Sequence, residues 1–352
     1  MASSSNLQAW FPHTKAPFIA NAPMFGFADY RLAAAVTKAG GLGFIGGGFD
    51  FRTEATQLAQ LDNQLAKFRS ELGDTPVTGN LPVGVGFITF TPAGFAENAI
   101  AVLKRHQVAA IWLSFPESDA DHLPLIQALQ QAKDQWSPRI FVQVGTVHSA
   151  VEAVKQGADV VVVQGTDAGG HQWAQGASLI SLLPEVRDTL TASGDIKKTA
   201  ILAAGGIVDS RGIVAAIGLG ADGAVMGTRF VATAECPAPP EIKQAIVSTS
   251  DGAVSTIKSI QHDVYQSTDV FPRQYDGRAV VGISYNESRN GATDEELIQR
   301  YKDAISKGEN HRRTVWAGAS IGVIKKVETV ADLLDRIRQD LKLTTERIQA
   351  LI

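Results

Sequence analysis

The 352-residue chain has a single cysteine, Cys236. One thiol excludes an internal disulfide and any metal site built from several cysteines. Long apolar runs are also missing. No stretch reaches the ~20 apolar residues that a membrane-spanning helix needs, and the opening MASSSNLQAWFPHTKAPFIA lacks the charged start and apolar core of a secretory signal. A cytoplasmic protein with no membrane partner is therefore expected. Basic clusters are scarce as well: 32 Lys and Arg against 36 Asp and Glu leave a net charge of −4. No nucleic-acid partner is expected from that balance. Neither a GxSxG elbow nor a P-loop with its lysine occurs, which argues against a serine hydrolase or an NTPase. His13, His106, His122, His148, His262 and His311 lack metal-ligand spacing, and no metal site is expected.

What the chain does have is apolar residues, 45% of the total, and 33 glycines that cluster at the ends of apolar runs. Glycine in that position allows the backbone to approach a ligand. Apolar strand patterns fall at 17–24, 42–46, 81–89, 109–115, 139–145, 160–164, 199–207 and 222–230. Helical patterns alternate with them, at 29–39 with Asp29 as cap, 53–72, 93–106, 123–136, 148–157, 178–191 and after Asp209. Repeated strand–helix units in this register predict an α/β fold, a TIM (β/α)8 barrel. A doubly wound sheet ranks second, because no switch point is visible.

After the eighth strand, PPEIKQAIVST can begin the eighth helix. The polar stretch 253–315, with SYNESRNGATDEE and a helix near 294–307, reads as an insertion forming a small helical subdomain, a candidate substrate lid. WAGASIGVI then returns to small and apolar residues, and VETVADLLDRIRQDL has the periodicity of a helix that closes the barrel. The barrel is accordingly expected over 17–252 and 316–345, with 253–315 outside it.

Function is sought at the strand ends. DVVVVQGTDAGGH, 159–171, runs from a strand without polar alternation, as in a sheet covered on both faces, into a glycine-rich corner and a loop. Its last residue, His171, is the candidate catalytic group; the alternative reading is a hydrogen-bonded structural histidine. Gln143 and Gln164 end adjacent strands and are expected to line a site, since a polar side chain in a core needs partners. AAGGI and VMGTR end the seventh and eighth strands, where this barrel commonly holds a phosphate. Gly205, Gly206 and Gly227 would let backbone amides reach its oxygens, and Thr228 would add a hydroxyl donor.

AGGIVDSRGIVAAIGLGADGAVMGTRF, QGTDAGGH and the opening APM together resemble the nitronate monooxygenase family, formerly 2-nitropropane dioxygenases, over most of 17–235. The resemblance implies a TIM barrel with FMN bound non-covalently. It implies flavin contacts from Gln164 and Gly169, a phosphate contact from Gly206, a phosphate end at Val225, Met226, Gly227 and Thr228, and Met24 against the isoalloxazine ring. It assigns His171 as the active-site histidine. The implied reaction is oxidation of an alkyl nitronate by O2 to a carbonyl compound and nitrite. Two positions depart from many members: Gly86 in VGVGF where they carry asparagine, and Ala319 in AGASIG where they carry glutamine.

A protonated His171 would attract an anionic nitronate, whereas a neutral one would remove the α-proton of a nitroalkane. An alternative within the family is an NAD(P)H-dependent flavin reductase of a quinone or an activated alkene. A non-redox barrel with a phosphate ligand is a third. The sequence assigns no oligomeric state.

Overall fold

The computed structural model describes residues 4–73, 75, 79–195, 198–268 and 270–351. Eight parallel strands form the barrel: β1 (Phe18–Asn21), β2 (Gly43–Gly48), β3 (Leu81–Ile88), β4 (Val108–Ser114), β5 (Arg139–Val144), β6 (Val160–Gln164), β8 (Ala200–Ala204) and β9 (Gly223–Met226). β7 (Gly170–Trp173) lies between β6 and β8 in sequence but outside the barrel. Hydrogen-bonded neighbours run β1-β9-β8-β6-β5-β4-β3-β2. A bridge from Ala20 to Leu42 brings β2 back to β1, with the Leu42 N–H donating to the Ile19 carbonyl at 2.9 Å.

The two faces of each strand do different work, as the twofold side-chain period requires. Val160, Val162 and Val225 point into the barrel with Phe44, Trp112 and Phe141. Val161, Val163 and Met226 point outward under the helices. Both layers are dry: Val160 through Val163 have no exposed surface, and each such side chain contributes roughly 1.5–3 kcal/mol of burial. Leu7 and Phe11, in and just after the helix Ser4–Trp10, pack on the inner cluster beside Phe18 and close the end formed by the strand starts.

The helix after β1 begins where expected, with the Asp29 carboxylate accepting from the Arg31 and Leu32 amides. The stretch read as one helix over 93–106 starts with a π-helical turn, Phe95–Ala99, before Ile100–His106. The eighth helical position is filled by Val330–Gln349, which packs between Tyr30–Lys38 and Ser210–Gly218. Pro240–Ser248 instead packs against the 3-10 turn Ala319–Val323. Arg229 anchors the closing helix by a buried ion pair with Glu328, which also accepts from Arg336.

The segment between these elements is helical in part, with Ile283–Arg289 and Asp294–Ser306. It also supplies two strands, β10 (Thr256–Ser259) and β11 (Tyr275–Val280). β11 pairs antiparallel with β10 on one side and β7 on the other, with Gly277 opposite His171. Histidine 171 therefore sits on a second small sheet, and not in the loop its sequence suggested. Gly277 is required there because a Cβ would fall 2.4 Å from the Trp316 ring.

Candidate active site

The C-terminal ends of the barrel strands surround a cavity of about 610 Å3, within the range usual for small-molecule sites. His171, Met24, Gln164, Gly169, Gly205, Gly206, Val225, Gly227 and Thr228 all line it. Met226 does not. Its fully buried side chain is on the opposite face of β9, and its carbonyl accepts from the Ala22 N–H at 3.0 Å.

His171 is held on three sides. Its Nε2 is 2.9 and 3.0 Å from the two carboxylate oxygens of Asp263, in the short helix Gln261–Val264. Phe271 stacks on the ring with centroids 3.7 Å apart and planes 10° from parallel, and Trp316 lies 4.9 Å away. The Asp263 side chain is only 4% exposed, so the nitrogen facing it carries the proton if the carboxylate is ionised. The imidazole lone pair is then on Nδ1, which has no hydrogen-bond partner among the described residues. A polar relay supports the same strand: Gln143 Nε2 donates to Gln164 Oε1 at 3.0 Å, and Gln164 Nε2 donates to the His171 carbonyl at 3.1 Å.

The other half of the cavity is made of backbone. Gly205 and Gly206 turn the chain after β8 with φ of 104° and 73°, a conformation that favours glycine. The amides of Gly206, Gly227 and Thr228 make no hydrogen bond within the protein among the described residues. Thr228 Oγ1 accepts from the Gly318 N–H at 3.0 Å, leaving its own proton to donate. Among the described residues, no lysine or arginine lines the cavity. An anion here would be met by amides and a hydroxyl at the start of the turn Thr228–Val231.

Two glycines have reasons that only the folded chain reveals. A Cβ on Gly169 would fall 2.4 Å from the backbone of Ala317 and Gly318, so this glycine admits the returning segment as well as lining the cavity. At Gly86 a Cβ would fall 2.3 Å from Pro23, which occupies the space a longer side chain would take.

Sequence reasoning passed over Asp263, Phe115 and Phe271. The first sits in QHDVYQ, and its only signal was a carboxylate beside histidine and tyrosine in an otherwise polar segment. Of the remaining histidines, His262 is buried, and burial pushes its imidazole below the ordinary value. Its Nε2 donates to the Ile257 carbonyl at 3.1 Å and Nδ1 faces the Tyr265 hydroxyl at 3.0 Å, a structural arrangement. Asp222 is paired with Arg187 at 3.0 Å, and accepts from the Ile201 amide. Among the described residues no cluster of His, Cys, Asp or Glu is arranged for a metal ion. No helix among the described residues is long and apolar enough to cross a membrane.

A TIM barrel whose strand ends converge on one cavity, with a carboxylate-bound histidine facing amides that lack acceptors, has the plan of an enzyme acting on a small molecule. The nitronate monooxygenase family model matches residues 54–340, and the chain belongs to that family of oxidoreductases. A nitronate monooxygenase of Neurospora crassa is 40% identical, over 99% of this chain and 95% of that protein. The nitronate monooxygenase npaC of Metarhizium robertsii is 33% identical over 93% and 91%. Among solved structures, FabK from Thermotoga maritima shares the fold with a TM-score of 0.76 at 22% identity, covering 99% of each chain.

Proposed function

We propose that the protein is an FMN-dependent nitronate monooxygenase, which oxidises alkyl nitronates with O2 to carbonyl compounds and nitrite. One observation carries the reading. A histidine fixed by a buried carboxylate shares a single cavity with the acceptor-free amides of Gly206, Gly227 and Thr228. The amides and the Thr228 hydroxyl suit the FMN phosphate. Gln164, Gly169, Met24 and Val225 line the space we assign to the rest of the flavin. Bound there, the flavin would supply electron transfer to and from substrate and O2, chemistry that none of these side chains has.

The chain's own contribution is to bind, orient and move a proton. Asp263 fixes the His171 tautomer, and Phe271 fixes the ring plane. His171 Nδ1 is the atom we assign to take the α-proton of a neutral nitroalkane. The imidazolium so formed lies between Asp263 and the nitronate, and would stabilise both anions. A substrate supplied already as a nitronate needs only the second of these roles. We assign 17–252 and 316–345 to the FMN-binding barrel, and 253–315 to an insertion covering the substrate, since Asp263, Val270 and Phe271 reach the cavity from it.

The test is nitrite release from propane-2-nitronate in air by the flavin-loaded protein, beside anaerobic mixing with NADH and NADPH. Nitrite formation without reduction of the flavin by either nucleotide is expected. Reduction by nucleotide without nitrite would replace the monooxygenase with the reductase of a quinone or activated alkene. Protein that takes up no FMN would remove both.

A further inference from the structure

The wall of the cavity beside His171 is aromatic and carries almost no charge. Phe271 covers one face of the imidazole, Trp316 approaches it, and Phe115 packs edge-on against Phe271 with centroids 5.5 Å apart. Phe90 continues from Phe271 at 5.1 Å, Phe49 from Phe90 at 6.2 Å and Phe25 from Phe49 at 5.8 Å. These contacts join one run of rings from the histidine to Phe25, which lines the cavity and is 47% exposed. Val270, 57% exposed, also lines it. Among the described residues, the only lining residue with an ionisable side chain apart from His171 is Asp263, and its carboxylate is already engaged.

Such a wall gains from covering apolar surface and, among the described residues, offers no lysine or arginine to a second anionic group. The nitronate end has His171, but a carboxylate at the far end of the substrate would lose water with no lysine or arginine among the described lining residues to replace it. Exposed aromatic and aliphatic rim residues would be covered by a substrate tail long enough to reach them.

We propose that the enzyme selects nitronates bearing a bulky apolar substituent, a long alkyl chain or an aryl ring, over short ones and over those carrying a carboxylate. The selectivity rests on the nitronate chemistry proposed above and assigns the substrate class of that site. Phe25 and Val270 set it at the rim, where both are exposed.

The experiment measures kcat/KM for nitrite release by the holoenzyme with ethane-, butane- and hexane-1-nitronate, the nitronate of phenylnitromethane, propionate-3-nitronate and its uncharged isostere 3-methylbutane-1-nitronate. Burial of methylenes predicts a rise of roughly two- to fourfold per carbon, so across four added carbons hexane-1-nitronate should exceed ethane-1-nitronate by roughly 16- to 250-fold. The carboxylate-bearing compound should fall at least about 10-fold below its isostere. Phe25→Ser should flatten the chain-length series while leaving ethane-1-nitronate within about twofold. Val270→Lys should raise kcat/KM for propionate-3-nitronate roughly fivefold at low salt, an effect that salt abolishes. Nitrite from all substrates with a flat chain-length series, or turnover of the carboxylate compound equal to its isostere, overturns the selectivity and leaves the proposed function standing. No nitrite from any nitronate overturns both.

Discussion

Replacing Asp263 with asparagine tests the histidine assignment most directly. The substitution keeps the shape of the side chain but removes the charge 2.9 Å from His171 Nε2. A hydrogen bond to a charged group contributes about 1.5–3 kcal/mol. That charge matters most when the imidazole becomes positive, during removal of the α-proton. Taking the whole contribution from that transition state predicts a loss of about 10- to 150-fold in kcat/KM for neutral nitroalkanes. A substrate supplied as a nitronate bypasses the step and should lose less than about threefold. The assay is nitrite release from 2-nitropropane and from propane-2-nitronate by the same protein, with α-deuterated nitroalkane in parallel. In the variant the deuterium isotope effect should grow, because proton transfer becomes more nearly rate-limiting. An equal loss on both substrates would reduce Asp263 to a structural link between insertion and barrel. No loss on either would refute the tautomer argument altogether.

Two further perturbations probe the cofactor end and the scaffold. Gly227→Val meets only ordinary contacts at its Cβ, 3.7 Å from Ala22 Cβ and Met24 Sδ, so the fold should survive. FMN retention after gel filtration should nevertheless fall by ~10-fold or more, as the branched side chain crowds the loop proposed to hold its phosphate; normal flavin content would remove the phosphate from this loop. The second is acid stability. Burial holds the His122 imidazole down from 6.5 to about 3 and that of His13 to about 4. Below pH 6.5 the unfolded chain gains these protons and the folded chain does not, so stability falls as pH drops from 6.5 towards those values. Each histidine contributes at most about 1.4 kcal/mol per pH unit. Urea midpoints at pH 7, 6 and 5 measure it, and His122→Gln should reduce the slope between pH 6 and 5; an unchanged slope would refute the contribution of His122.

The barrel was legible because its signals are local. Val160 to Val163 announce a strand covered on both faces, and Asp29 announces a helix start, each within a few residues. Gly205, Gly206 and Gly227 were legible as strand-end residues lining the cavity for the same reason. Met226 marks where motif reading and strand geometry part: the inward position of Val225 puts its neighbour on the outer face, a step the twofold period contains but a motif does not. Asp263 was not legible, because nothing within its own segment says that it is buried. Its burial depends on β11 pairing with β7, which joins residues more than a hundred apart in sequence.

Gly169 carries this point into mechanism. Read along the chain, DAGGH is a glycine-rich corner that admits a flat ligand. In the folded protein the same glycine admits the backbone of Ala317 and Gly318, and Gly318 in turn donates its N–H to the Thr228 hydroxyl oxygen. The segment that returns after the insertion therefore touches both the corner leading to His171 and the loop proposed to hold phosphate. A change at 317–318 would disturb proton transfer and cofactor retention together, whereas a change at Asp263 would disturb the first alone. That separation distinguishes a site assembled by the returning segment from two independent loops that happen to share a cavity.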